Sequence, residues 1–388
     1  MVIPLILLAL LSAVLIAENI ALKHRTGNIK LRISVSGTRG KSGVTRDLAS
    51  VLRSNGMRVL AKTTGSEPVY ILPDGTEEPI RRRGLVSISE QKRLITMASE
   101  MKVDCLVTEI MSIHPENHKI ESRRIIRPHI TILTNFRADH LDVTGDSRAD
   151  TESVFLNDVC SGSVVFVHAN HSSENIVKGV SGLGSAIIIA SEGIAEELPT
   201  DPEATRFRVS DNLDLVTAVS RHLSVDDTTI ARGIESAHHD TGRAELFKLK
   251  RNDKTVWFAN TFAANDPVST SIIIGIILRD AGLKPTSMAG ILSLRNDRSE
   301  RTGQWIKHLK SERSELFSKV YITGGHRQLA GRQLKGSSVL TFNDPQEITN
   351  HIFNNSHDKT VVFGLANIAG TGNRLAEYWR RELEWAMN

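Results

Sequence analysis

Leu31-Arg-Ile-Ser-Val-Ser-Gly-Thr-Arg-Gly-Lys-Ser42 is the stretch on which the fold turns. Leu31 to Val35 is a short apolar run that ends in Ser36-Gly37. Beyond Ser42, apolar residues recur at Val44, Leu48, Val51 and Leu52, the spacing of one helix face. Strand, glycine loop, helix is an order that lets successive backbone N–H groups and a helix N-terminus converge on an anion. Gly37, Thr38, Arg39 and Gly40 would form the cradle, Lys41 would bring an ammonium to the β and γ phosphates of a nucleotide, and Ser42 would offer a hydroxyl to Mg²⁺. Val35 stands where the general G-x-x-x-x-G-K-[ST] pattern has its first glycine, so the loop is a compressed version.

Further strand-like runs follow at Cys105–Val107, Ile130–Thr134, Val164–Val167 and Ala186–Ala190, separated by longer amphipathic stretches. Near-continuous apolar strands alternating with helices predict a mostly parallel sheet covered on both faces. Two of these strands end in polar residues, at the edge where open α/β sheets bind ligands. One is Asp104-Cys-Leu-Val-Thr-Glu109, whose terminal carboxylate could hold a metal ion near a γ-phosphate. The other leads into Thr134-Asn-Phe-Arg-Ala-Asp-His-Leu-Asp142, where Asn135 could hydrogen-bond phosphate and His140 could ligate a second Mg²⁺.

Helical patterns at Leu213–Leu223 and Thr228–Ala237 close this region, and the polar His238-His-Asp-Thr-Gly242 marks a boundary. Beyond it, Leu246–Lys250 and Thr255–Ala259 predict a hairpin around Asn252-Asp253. Apolar runs at Met288–Leu294, Val320–Thr323, Ser338–Phe342 and Val361–Leu365 then alternate with helices, as in a second, smaller, Rossmann-like α/β domain. The expected division is 1–22, a hydrophobic anchor helix; 28–238, a P-loop-type nucleotide-binding domain; and 239–388.

The chain has 388 residues and a net charge of +4, too small to argue for nucleic acid without a localised basic stripe. Its two cysteines, Cys105 and Cys160, lie in or beside apolar runs, which excludes a disulfide scaffold and fits a reducing compartment. From Met1 to Ala17 no side chain is charged, and Lys23, His24 and Arg25 follow. A span of about 20 residues crosses the hydrocarbon core. With the positive charges after the run, the body of the protein is expected in the cytoplasm, held by a single N-terminal membrane anchor.

On these residues the chain resembles Mur ligases and folylpolyglutamate synthetases. The compressed G-T-x-G-K-[ST] loop and T-N-x-x-x-D-H-L-D carry the resemblance. Gly242-Arg-Ala-Glu245, Asn260-Thr-Phe-Ala-Ala-Asn-Asp-Pro267 and Leu294-Arg-Asn-Asp-Arg298 resemble the family's later motifs. A hydrophobic segment in place of the usual first domain resembles the poly-γ-glutamate synthase branch. The resemblance implies an ATP- and Mg²⁺-dependent ligase that adds glutamate to a poly-γ-glutamate acceptor and releases ADP and phosphate. Lys41, Glu109, His140 and Asn135 would then be catalytic, and Ser42, Glu109 and His140 would hold metal. Asn265, Asp297 and Arg298 would contact the nucleotide. Integral-membrane partner subunits of a synthase and export complex are also implied, with room for a homo-oligomer and no nucleic acid.

No lysine lies between Lys119 and Lys178, where many Mur ligases carry a carbamylated one. The second magnesium is then either held with help from Glu152 or Asp158, or held less firmly. Arg81-Arg82-Arg83 and Arg123-Arg124-Arg127 are either solvated surface or a track for a polyanionic acceptor. Two other readings stay open. One is a membrane-attached P-loop ATPase or GTPase, for which Asp142-Val-Thr-Gly145 would supply D-x-x-G although no N-K-x-D occurs. The other is a related ligase with a different amino acid or acceptor.

Overall fold

The computed structural model describes residues 2–65, 68–82, 87–137, 145, 147–238, 242–311 and 316–386. The chain divides into two compact units, Met1–Thr205 with Ser210–His238, and Arg206–Val209 with His239–Asn388.

In the first unit, helix α1 (Val2–Gly27) leads to β1 (Leu31–Ser36), and α2 (Lys41–Ser54) follows the glycine loop. Next come β2 (Val59–Lys62), β3 (Val69–Ile71), β4 (Glu77–Pro79), α3 (Ser89–Glu100), β5 (Cys105–Glu109) and α4 (Pro115–Ile120). After a π-helical segment, Glu121–Ile126, the unit adds β6 (Ile130–Leu133), β7 (Val164–His168), β8 (Ala186–Ala190), α5 (Ser210–His222) and α6 (Asp227–Glu235). The sheet order is β4-β3-β2-β5-β1-β6-β7-β8. Strands β2, β5, β1, β6, β7 and β8 run parallel, while β3 and β4 are added antiparallel at one edge.

β1 lies at the centre and shows why this sequence builds the layers it does. Alternate residues of a strand face opposite sides. Ile33 and Val35 join Val44, Leu48, Val51 and Leu52 of α2 in one apolar cluster. Arg32, Ser34 and Ser36 face the other way and are buried too, so each needs a polar partner. Ser34 Oγ donates to Thr131 Oγ1 at 3.2 Å, and Arg32 donates to the carbonyls of Thr26, Ile29, Ile126 and Arg127 at 2.7–3.0 Å.

The second unit opens with the expected hairpin, β9 (Glu245–Arg251) and β10 (Lys254–Asn260), turning at Asn252 with φ 53°. It continues through α7 (Pro267–Asp280), β11 (Ser287–Leu294), α8 (Ser299–Lys310), β12 (Lys319–Gly324), α9 (Arg327–Gln333), β13 (Ser338–Val339), β14 (Thr360–Ala366), α10 (Thr371–Glu382) and β15 (Glu384–Trp385). The order β13-β12-β11-β14-β10-β9-β15 has a parallel core with β9 and β15 antiparallel at one edge. The run read as Ser338–Phe342 forms only a two-residue strand. Trp305 anchors the core on one face of the sheet, and Trp379 stacks among Phe247, Phe258 and Phe262 on the other. Phe207, from the short segment that joins this unit, is buried in the Trp305 core, and its N–H donates to Asp280 at 3.0 Å. Both units are α/β with mostly parallel sheets, the fold class expected from the sequence.

α2 and α6 meet where Gly233 leaves no room for a side chain: a Cβ there would lie 2.4 Å from the Cα of Val51. Gly233→Ala therefore forces two backbones apart and should lower stability by about 1–3 kcal/mol, measurable as a lower denaturant midpoint.

Candidate active site

Leaving β1, the chain takes positive φ at Gly37 (111°) and Gly40 (86°) before entering α2. Both positions are also sterically closed. A Cβ on Gly37 would sit 2.3 Å from Thr134 Oγ1 and 2.9 Å from the Asn135 carbonyl, and one on Gly40 would sit 2.5 Å from the amide of Asn212. Glycine is required by backbone conformation and by space at once. Asn212, in the first turn of α5, is thus part of the loop's wall, although nothing in its local sequence marks it.

Thr134 and Asn135 brace the loop from the end of β6. Thr134 Oγ1 and Asn135 Nδ2 donate to the Arg39 carbonyl at 2.7 and 2.8 Å, and Asn135 Oδ1 accepts from the Arg39 N–H at 3.3 Å. Thr38 N–H donates to the Asn135 carbonyl at 3.0 Å, and its hydroxyl to the Arg137 carbonyl at 2.8 Å. Asn135 therefore acts on the loop backbone. Lys41 Nζ folds back over the loop and donates to the carbonyls of Gly37 and Thr38 at 2.6 and 3.2 Å. α2 begins with no side-chain cap, leaving first-turn N–H groups at the positive end of a helix dipole.

Beside this cradle, Ser42 Oγ donates to Glu109 Oε2 at 2.8 Å, and the same oxygen accepts from Thr64 N–H at 2.8 Å. Glu109 is only 3% exposed. A hydroxyl and a buried carboxylate in contact are hard oxygen donors, the set that suits Mg²⁺ or Mn²⁺. These two residues fit a divalent cation. Asp139, His140, Leu141 and Asp142 lie outside the described residues, as do Arg83 and 239–241. Among the described residues no three His, Cys, Asp or Glu side chains form a metal-holding group.

Behind the loop stands a buried polar layer around Asp158, which the sequence offered only as a possible aid to a second magnesium. Asp158 accepts from Ser36 Oγ, from Ser122 Oγ at 3.0 Å and from His118 Nδ1 at 2.9 Å. Burial works against charge on His118, but the Asp158 carboxylate outweighs it and raises the imidazole above its ordinary value of 6.5. Glu121 accepts from Gln91 Nε2, Met111 N–H, Ser112 N–H and Ser112 Oγ, which ties down the segment just after Glu109. Burial pushes Glu121 upward in pKa despite these donors. Gln91 Nε2 also donates to the Glu109 carbonyl at 3.2 Å. Glu152 is engaged by Arg148 and Asn175 at 2.9 and 3.0 Å. Of the arginine clusters, Arg82 pairs with Glu90 at 2.7 Å, and Arg123 donates to the carbonyls of Leu156 and Asn157.

In the second unit, Asn265 has φ 66° and accepts from Arg301 through Oδ1 at 3.0 Å and from Trp305 Nε1 through its carbonyl at 2.7 Å. Arg301 also donates to Asn367, which donates to the Ser293 carbonyl. Asp297 and Arg298 are exposed after β11, and Asp297 is paired with Arg295 at 2.6 Å. A cavity of about 490 Å³ opens at the C-terminal ends of these strands, lined by Asn296, His326, Arg327, Asn343, Thr371 and Arg374 among others.

Residues 35–230 match the Mur ligase middle domain, and residues 246–382 match the poly-gamma-glutamate synthase CapB C-terminal domain. The chain belongs to the Mur ligase family. This Mur ligase is 29% identical over 290 residues to the capsule biosynthesis protein CapB of Bacillus anthracis, covering 74% of the chain and 61% of that protein. It is 26% identical over 363 residues to the PGA synthase CapB of Bacillus subtilis (strain 168), covering 90% of each. Its fold matches a bifunctional folylpolyglutamate synthase/dihydrofolate synthase of Yersinia pestis c092, complexed with AMPPNP and Mn ion. The TM-score is 0.69, at 14% identity, over 93% of this chain and 92% of that one.

For a Mur ligase built this way, Gly37→Ala should abolish nucleotide binding while the chain still folds, read by titration with a fluorescent ATP analogue beside a thermal melt. The buried imidazole adds a pH dependence. His118 holds its proton more tightly folded than unfolded, so its stabilisation is complete below the ordinary value of 6.5 and is lost as pH rises through the elevated folded value. Asp158→Asn should flatten that part of the stability profile above the ordinary imidazole value of 6.5 in denaturant unfolding.

Proposed function

We propose that this Mur ligase makes the amide bonds of poly-γ-glutamate. The observation that carries the reading is the Ser42–Glu109 contact at the mouth of the Gly37–Lys41 loop, in a chain whose second unit matches the CapB C-terminal domain. ATP and a divalent metal, magnesium by preference, are its cofactors. The relatives named for capsule and PGA synthesis, and a fold neighbour holding AMPPNP and Mn, support this chemistry.

The γ-phosphoryl group passes from ATP to the terminal carboxylate of the glutamyl chain, giving ADP and an acyl phosphate. The amino nitrogen of an incoming glutamate, having lost a proton, attacks the carbonyl carbon, and phosphate leaves as the C–N bond forms. Carboxylate oxygen is a poor leaving group and phosphate a good one. The protein's part in phosphoryl transfer is positioning and electrostatics. Loop N–H groups and Lys41 neutralise charge on the transferring phosphoryl group, and Ser42 and Glu109, with His140, would hold metal that adds to that neutralisation. Arg327 and Arg374 give the cavity of the second unit the charge to take a carboxylate-bearing amino acid.

α1 is long and apolar enough to cross a membrane. We place the catalytic units on the cytoplasmic side, as Lys23 and Arg25 after the apolar run favour, alongside membrane subunits that carry the polymer onward.

Lys41→Ala and His140→Ala, each in membranes carrying the full chain, should lower glutamate-dependent ADP release by about 10²–10³-fold. Undiminished release in both variants removes the mechanism. ADP release that ignores added glutamate points to an ATPase without ligation.

A further inference from the structure

The last turns of α1 are part of the folded unit, and their register against α3 gives the helix a direction. Glu18 pairs with Lys92 at 2.7 Å, Arg25 donates to Thr96 at 3.4 Å, and Asn28 donates to Ser99 at 3.3 Å. Both numbers rise together, so the two helices run parallel. Exposed ion pairs hold little. The docking rests instead on Leu22, packed against the cluster of Ile29, Leu94, Ile95 and Ile125, and on the Arg32 guanidinium, which closes the helix end through the carbonyls of Thr26 and Ile29.

α3 itself has a known orientation in the sheet. Its C-terminal end returns the chain to the start of β5, and Gln91 in its first turn touches the carbonyl of Glu109, the last residue of β5. The first turn of α3 is therefore level with the C-terminal ends of the parallel strands, where the phosphate loop and Glu109 lie. Lys92 meets Glu18 at that level. The uncharged run ends at Ala17, one residue earlier, and none of that stretch of helix is buried.

We infer that the edge of the first unit carrying the phosphate loop and Glu109 faces the bilayer, held against the phospholipid headgroup layer by a rigid continuation of the membrane helix. The boundary between apolar and polar helix coincides with that edge, so the headgroup layer, at residues 17–18, meets the same side of the sheet on which the chain is extended. The inference rests on the anchor reading given above.

The test uses the full chain reconstituted in phosphatidylcholine vesicles containing a headgroup spin-labelled lipid, with Cys160→Ser removing the half-buried thiol and Cys105 left buried. One fluorophore is attached at Ile113→Cys, four residues past Glu109 and 41% exposed, and another at Asn55→Cys, exposed at the opposite strand ends after α2. Several-fold stronger quenching at position 113 than at 55 is expected. Equal quenching, or the reverse order, in protein that floats with the vesicles overturns the inference and leaves the anchor standing. Protein that fails to float removes the anchor as well. A flexible glycine-serine insert between Ala17 and Glu18 should equalise the two labels without releasing the protein; a persisting difference overturns the rigid connection.

Discussion

A contact between two backbones governs the site. Gly37 lies so close to Thr134 and Asn135 that no Cβ fits between them, and the Thr38 N–H closes the gap by donating to the Asn135 carbonyl. The phosphate loop is therefore bolted to the end of the neighbouring strand. Its N–H groups are aimed before any nucleotide arrives, which is how a cradle of partial charges avoids spending binding energy on its own ordering. The same contact explains the shortened motif, since Val35 remains in the core and the loop begins only when the strand has ended.

β1 passes that constraint through the rest of the first unit. One face supplies Ile33 and Val35 to the core against α2. The other supplies Arg32 to the end of α1 and Ser36 to the Asp158–His118 pair. Six residues thus connect α1, the sheet and the site. Burying that many polar atoms is costly unless each finds a partner, and Asp158 shows the solution: both of its oxygens are occupied, which makes it a support for the loop.

Much of this was legible in the residues. Continuous apolar runs located β1, β5, β6, β7 and β8 and most of the second sheet. β2, β3 and β4 escaped notice because Val59–Lys62 ends in a charge, and the antiparallel pair is short, with Pro68, Pro73 and Pro79 around it. Edge strands need little apolar sequence and tolerate proline. In the site, motif spacing brought Lys41, Ser42, Glu109 and Asn135 to notice. It could not bring out Asn212 or His118, nor that Asp158, read only as a possible aid to a metal, pairs with His118 behind the loop; these meet only through the fold. Asp297 was read as a nucleotide contact; its carboxylate is paired with Arg295, two residues away, a local contact that spacing alone does not distinguish from a binding role.

The uneven placement of large aromatics has an optical consequence. All four tryptophans, Trp257, Trp305, Trp379 and Trp385, belong to the second unit, and the first has none. Intrinsic emission excited at the red edge of the absorption band is therefore a built-in reporter of that unit alone, while far-ultraviolet dichroism sums over both. Divergence between the two signals on heating would separate the melting of one sheet from that of the other without any added label.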